Sequence, residues 1–282
     1  MPDSTVTVDA HQHYWQIQNF EYPWHKQVNR PEMQRDYMPS EILPKMQALG
    51  IQYSVLIQAD NSLDETTWML NLAEQYPSIA GVVGRVDLTA HDMVTNLDKL
   101  AQQSLFRGIR LTPAPQEDWR LLSPGLQALA ERGLSCDLLL REDTLTTARA
   151  MMHAHADTSF VVNHLAGLSL TPGGVRPWTE KLKPLSELPN VSMKFSAIQG
   201  LAEPPPISTE TLWPYLESAL TLFGERRLIF ASDWPVSTLT GPYEECITVM
   251  RAATSRLSKE EQAAIWGGNA ITTYKLSLRL QK

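Results

Sequence analysis

The chain is predicted to fold as a single-domain α/β protein, a (β/α)8 TIM barrel over residues 1–282. Three observations predict it. Short apolar runs begin near residues 6, 53, 80, 107, 134, 159, 191 and 227, mostly about 25–37 residues apart, which is what a strand, a loop and a helix need. Helical patterns with their own start and stop residues fill the gaps. Most of the runs end on an ionisable or amide side chain, as parallel barrel strands do when their carboxyl ends open into a shared pocket. A doubly wound open sheet alternates in the same way, but no glycine-rich phosphate loop follows the first run.

The first run, Val6-Thr7-Val8-Asp9-Ala10, leads into His11-Gln12-His13. Ser40 is placed to cap a helix carried by Glu41, Leu43, Met46 and Leu49 and closed by Gly50. Val55-Leu56-Ile57 ends at Gln58, and Ser62-x-x-Glu65 is a capping box for a helix through Trp68, Met69, Leu72, Ala73 and Tyr76. The third run ends at Asp87, and Ile109 stands before Arg110. Ser123-Pro124 opens a helix that ends at Gly133. Leu138-Leu139-Leu140 ends at Arg141, with a helix expected over 144–156. Val161-Val162 ends at Asn163-His164, and the seventh run is Val191-Ser192-Met193-Lys194-Phe195-Ser196. Trp213-Pro214 puts a proline in the first turn of a helix with Leu216, Leu220 and Phe223, stopped by Gly224. The last run, Leu228-Ile229-Phe230-Ala231-Ser232, meets Asp233-Trp234-Pro235. Residues 18–39, 169–177 and 200–208 break the rhythm; all follow strand carboxyl ends, so they are candidate rims or lids.

Composition narrows the function classes. A hydrophobic fraction of 43% and a charged fraction of 20% are ordinary for a soluble globular chain. The net charge of −7 argues against nucleic acid or an anionic membrane as partner. No apolar stretch has spanning length, and MPDSTVTV carries neither a basic segment nor an apolar one of leader type. Cys136 and Cys246 lack metal-type spacing and are expected to be reduced packing residues of a cytoplasmic protein. The oligomeric state is not written in the sequence.

His11 and His13 are two apart on an extended strand, so both imidazoles face one way, towards a metal, an anion or a carbonyl. Asp233 closes the last strand, where a buried carboxylate is costly unless it has a partner or a task, such as general base or metal ligand. His164 ends the sixth strand and can hydrogen-bond a substrate carbonyl. Lys194 lies within the seventh strand and either faces the barrel or snorkels outward. His25, in the aromatic segment, is placed to touch a ligand, whereas His91, His153 and His155 read as surface residues.

Together Asp9-Ala10-His11-Gln12-His13, Asn163-His164, Asn190-Val191 with Lys194, and Ser232-Asp233-Trp234-Pro235 resemble the amidohydrolase superfamily. They are most similar to the branch containing 2-pyrone-4,6-dicarboxylate lactonase and the fucono- and rhamnono-lactonases. Gly81-Val82-Val83-Gly84, Val86-Asp87-Leu88 and Gly267-Gly268-Asn269-Ala270 also resemble that branch. The resemblance implies a barrel that hydrolyses a small-molecule lactone, with Asp233, His11, His13 and His164 catalytic. Water loses its proton to Asp233 while the histidines hold the carbonyl oxygen.

Metal-dependent relatives usually carry a fifth-strand histidine, and this strand has none. No cofactor is therefore expected to be required, although His11, His13 and Asp233 are enough ligands for a weak zinc site. Arg110 and Arg141 can hold a carboxylate; Gln58, Asp87, Lys194 and Trp234 complete the expected substrate contacts. A zinc-dependent decarboxylase of the same superfamily and a non-catalytic barrel for a small acid are the competing readings.

Overall fold

The computed structural model describes residues 6–28, 30–114 and 118–279. Eight strands form one sheet in sequence order: β1 (Val8–Gln12), β2 (Tyr53–Ile57), β3 (Ile79–Gly84), β4 (Phe106–Leu111), β5 (Ser135–Leu138), β6 (Ser159–Val162), β7 (Val191–Phe195) and β8 (Leu228–Phe230). Every neighbouring pair is parallel. A parallel bridge between Gln12 and Trp234 closes the ring, reinforced by Asp233 N–H to His11 O (3.0 Å) and His13 N–H to Trp234 O (2.8 Å). The predicted barrel is therefore the observed fold. At Gly108 the β4 and β5 backbones are so close that a Cβ would collide with the Ser135 carbonyl.

The crossover helices are α1 (Pro39–Ala48), α2 (Leu63–Gln75), α3 (Met93–Ala101), α4 (Ser123–Glu131), α5 (Leu145–Ala154), α6 (Val175–Ser186), α7 (Thr209–Phe223) and α8 (Tyr243–Thr254). Two boundaries depart from expectation. Helix α1 begins at Pro39 with Met38 at its cap, because proline takes the first turn without needing an N–H partner, and Ser40 lies inside. Helix α7 starts earlier than expected: Ser208 caps it by accepting the Thr211 N–H (3.2 Å), which leaves Pro214 inside the helix rather than in its first turn. Ser62 does cap α2, but Glu65 turns away from it to accept the N–H groups of Ala59 (3.1 Å) and Asp60 (2.8 Å). That carboxylate fixes the chain just past β2. Gly224 ends α7 in the left-handed region, φ 71°, as a glycine stop should.

Two apolar layers hold the barrel. The larger lies between strands and helices; Leu56, Val82, Ile109, Leu126, Phe160, Leu182 and Phe230 are among its buried members. A smaller one, with Val8, Ala10, Val55, Val161, Ile229 and Tyr274, fills the interior. Each buried aliphatic contributes about 1.5–3 kcal/mol relative to exposure. Both cysteines are buried and free, as packing residues. Among the described residues no helix is long and apolar enough to cross a membrane.

The candidate rims are tied down at several described residues. Residues 18–39 hold a short helix, Pro23–Val28, and a single turn, Pro31–Met33; Trp24 donates its indole N–H to Ala59 O (2.8 Å) beside the β2 end. The segments after β6 and β7 join through a Leu170–Ala202 bridge, with Leu170 N–H donating to Leu201 O (2.7 Å).

Candidate active site

The site is built on the seam between the first and last strands. Asp9 is fully buried there. Its Oδ1 accepts the Ser232 N–H (2.8 Å); its Oδ2 accepts Ser232 Oγ (2.6 Å), Gln12 Nε2 (2.7 Å) and the Tyr243 hydroxyl (3.2 Å). Burial raises the Asp9 carboxyl above its ordinary value, against the pull of these donors. Because Ser232 is held this way, the residue after it is delivered to a fixed place beside His11 and His13.

Backbone shape does the rest. Asp233 and His164 sit at φ 68° and φ 51°, in the left-handed region, and Leu165 and Ala166 continue that turn at 51° and 60°. Each such residue without glycine's freedom costs about 1 kcal/mol or more, a strain typical of functional turns. The outcome is convergence on one atom. Asp233 Oδ1 lies 3.4 Å from His13 Nε2 and 3.6 Å from the Nε2 atoms of both His11 and His164. His11 Nε2 and His13 Nε2 also meet directly at 3.0 Å, so the three imidazoles and the carboxylate converge on one small volume.

The far sides of the rings are also held. His13 Nδ1 donates to Ile57 O (2.9 Å), since a carbonyl only accepts. His164 Nδ1 meets Ser196 Oγ at 2.8 Å, and His11 Nδ1 meets Lys194 Nζ at 3.2 Å. Lys194 in turn pairs with Asp137 Oδ2 at 2.6 Å, and the Tyr274 hydroxyl donates to the same carboxylate (2.9 and 3.0 Å). Burial lowers all three histidines, His11 most and His164 to about 4, so the rings are neutral near pH 7. For Asp233 burial pushes upward, but His164, His13 and Arg110 together outweigh it and hold the carboxyl below its usual value. The centre is thus an ionised carboxylate among neutral imidazoles.

The other expected contacts divide. Gln58 is buried with its Oε1 unpartnered. The Arg110 guanidinium has no carboxylate within ion-pair distance among the described residues and an unpartnered buried Nε. Its charge nevertheless bears on Asp233 and on all three histidines. Both stay available to a ligand. Lys194 does face the barrel but is 0% exposed beneath His11, so it contacts the site's histidine and not open space. Trp234 is 2% exposed, its ring packed on Tyr14 and Tyr37, and its backbone serves the seam. Asp87 and Arg141 are exposed and held by their own neighbours: Asp87 by Thr89 N and Oγ1 (2.9 and 2.7 Å), Arg141 by Asp143 (2.9 Å). The structure does not bring these two into the cluster.

His25 is packed between Trp24 and Tyr22 with both nitrogens unpartnered, and burial lowers it to about 4. Asp137, Ser196, Tyr274 and Glu65 were missed by sequence reasoning. Asp137 alone had a signal, a carboxylate inside an apolar strand. A cavity of about 370 Å³, lined by Leu43, Gly50, Gln52 and Pro77 among others, lies before β2 and β3, at the end of the barrel opposite the site.

Among the described residues, His11, His13 and Asp233 form the group whose potential ligand atoms all lie within 4.8 Å, so type and spacing suit a metal ion. The surroundings of His11 suit it less, because a metal needs the bare lone pair of Nε2 and Lys194 places a donor at Nδ1.

A model of the amidohydrolase family matches residues 8–276. The chain belongs to that amidohydrolase family. Two relatives are described as L-fucono-1,5-lactonases. The one from Burkholderia multivorans is 32% identical over 290 residues, and the one from Burkholderia ambifaria 30% over 281; 96% of each chain is covered in both comparisons. A crystal structure of a Burkholderia multivorans amidohydrolase with bound zinc superposes with a TM-score of 0.87 at 30% identity, covering 96% of this amidohydrolase and 100% of that chain.

Proposed function

We propose that this amidohydrolase opens the lactone of a sugar acid, with water activated by Asp233. The single observation that carries the proposal is the gathering of three imidazole nitrogens round one Asp233 oxygen at 3.4–3.6 Å. Similarity to the two L-fucono-1,5-lactonases supports the substrate class.

The chemistry follows from the charge states. Asp233 Oδ1 accepts a proton from water as the water oxygen attacks the carbonyl carbon. Negative charge then gathers on the carbonyl oxygen, where the neutral His11 and His164 rings stabilise it as N–H donors, the His13 proton being committed to Ile57 O; one such preorganised donor is worth about 2.7–4 kcal/mol of barrier. The ring C–O bond breaks as Asp233 returns its proton to the departing oxygen, leaving a hydroxy acid. A sugar alkoxide leaves more readily than an amine, so a carboxylate and hydrogen bonds suffice, and none of these steps requires a cofactor. Gln58 and Arg110 are placed to hold ring hydroxyls or a substrate carboxylate. Zinc bound at His11, His13 and Asp233 would supply Lewis-acid polarisation and a more acidic water.

The test is a panel of sugar-acid and pyrone lactones, read by proton release, on wild type and Asp233→Asn. Asparagine keeps the volume and tolerates the left-handed backbone. The expected result is ring opening by the wild type and a loss of about 10³-fold or more in kcat for the variant, with unchanged melting. A folded variant with near-normal turnover would remove Asp233 as the base. Release of carbon dioxide instead of ring opening would favour a decarboxylase, and binding without turnover a non-catalytic barrel.

A further inference from the structure

Lys194 is a buried cation that takes no part in the ring-opening steps, and its contacts are unusually complete. Its Nζ lies 2.6 Å from Asp137 Oδ2, 3.2 Å from His11 Nδ1 and 5.3 Å above the Tyr274 ring. Lys194, His11 and Asp137 are all 0% exposed, and Tyr274 is 1% exposed. His11 links this layer to the catalytic cluster, its Nε2 lying 3.0 Å from His13 Nε2 and 3.6 Å from Asp233 Oδ1.

An ammonium has three donors and no lone pair. Paired with Asp137, Lys194 can only donate to His11 Nδ1, so that nitrogen accepts and the ring proton sits on Nε2. The opposite end of His11 supports the same assignment independently. Its Nε2 lies 3.0 Å from His13 Nε2, a contact that accommodates a single proton. His13 has already committed its proton to Nδ1, which donates to Ile57 O at 2.9 Å, so its Nε2 is bare and the shared proton belongs to His11.

We infer that Lys194, anchored by Asp137 and Tyr274, is a positioning residue that fixes His11 as an Nε2–H donor aimed at the reacting carbonyl oxygen. The catalytic half of this rests on the lactonase reading; the tautomer does not. In the resting site His13 Nε2 accepts that N–H, and an incoming carbonyl oxygen takes its place. The same arrangement withholds from any metal ion the lone pair that His11 would need to offer, so Lys194 sets both the donor character of the site and its weakness as a metal site.

The experiment uses full-length protein with ¹⁵N-labelled histidine. Nitrogen NMR reads the tautomer, His11 being assigned by loss of its signals in His11→Asn. Wild type should show a protonated Nε2 and an unprotonated Nδ1; a proton on Nδ1 would overturn the inference whether or not any lactone is a substrate. Lys194→Met should let the proton move to Nδ1. It should lower kcat by about 10²-fold with little change in KM, as loss of one oxyanion donor does. Zinc affinity, measured by competition with a chromophoric chelator, should tighten by about 10-fold or more, the scale of outer-shell effects on metal binding. Because Lys194→Met strands the Asp137 charge, Lys194→Met/Asp137→Asn is made alongside it and should behave alike in all three readouts. Tyr274→Phe, which keeps the ammonium, should retain the wild-type tautomer. Folded Lys194 variants with an unmoved tautomer and unchanged zinc affinity would reduce Lys194 to a structural ion pair and refute the inference.

Discussion

Replacing Asp9 by Asn keeps the shape of the seam and removes its charge. In the wild type Oδ1 serves the backbone N–H groups of Ser232 (2.8 Å) and, at longer range, His11 (3.4 Å), and Oδ2 serves a serine hydroxyl, a glutamine amide and a tyrosine hydroxyl at 2.6–3.2 Å. An amide has only one acceptor atom. If its NH2 takes the Oδ1 place, the Ser232 N–H is orphaned. If it takes the Oδ2 place, the hydroxyls can rotate to accept, but Gln12 Nε2 cannot. Either way at least one buried donor is left unpaired, at about 1–3 kcal/mol, and the remaining bonds lose their charge assistance. The opposing effect is relief from burying an ion, the cause of the raised Asp9 carboxyl. Five donors against one carboxylate make the orphaning the larger effect, with a net loss of about 2–4 kcal/mol. A chain of this length unfolds with an entropy of about 0.6 kcal/mol per kelvin, so calorimetry should record a fall in Tm of about 3–7 °C. Turnover should fall as well, since a displacement of Asp233 by about 1 Å costs up to about 100-fold. A Tm within about 1 °C of wild type, or above it, would show that charge burial and not donor satisfaction dominates this seam.

Other outcomes follow from the same geometry. Arg110→Met should raise KM about 10- to 100-fold for a lactone that carries a carboxylate and less for a neutral one; an equal, small effect on both would make Arg110 a counter-charge for Asp233 and Glu65 only. Dialysis against a strong chelator should leave kcat unchanged, and an activity lost on chelation and restored by zinc would contradict the donor role of His11. Burial raises the Glu65 carboxyl to about 8 from 4.5, so the folded state binds its proton more tightly than the unfolded chain does. Stability should therefore decline as pH rises from about 4.5 to about 8, and Glu65→Gln should flatten that slope; parallel pH profiles of Tm would refute it.

The barrel was legible because each strand writes its own apolar run and each helix its own stops. The strand ends were legible too, and His11, His13, His164 and Asp233 meet as their positions imply. Direction past the strand end was harder to read. Asp87 and Arg141 occupy comparable positions, yet each is captured by a partner two residues on, Thr89 and Asp143. Those short spacings are local turn chemistry, and they were visible in the sequence. The Lys194–Asp137 pair, separated by 57 residues, was not visible. Two charged residues inside apolar strands announce that each needs a partner, but only the closed ring shows that they are each other's. Trp234 shows the same limit: adjacency to Asp233 suggested a substrate contact, and only the closed ring shows that its carbonyl accepts the His13 N–H and that its side chain is buried.

The left-handed backbone at Asp233 and His164 also limits what this scaffold can become. Aspartate, asparagine, histidine and glycine accept that conformation at modest cost, while β-branched and bulky residues do not. Substitution at these two seats can thus exchange a carboxylate for an amide or an imidazole without moving the main chain. Installing a valine or a threonine there would require the turn itself to be rebuilt. New activities on this barrel should consequently arise by changes in the residues that surround the substrate, with the reacting seats kept within a narrow chemical alphabet.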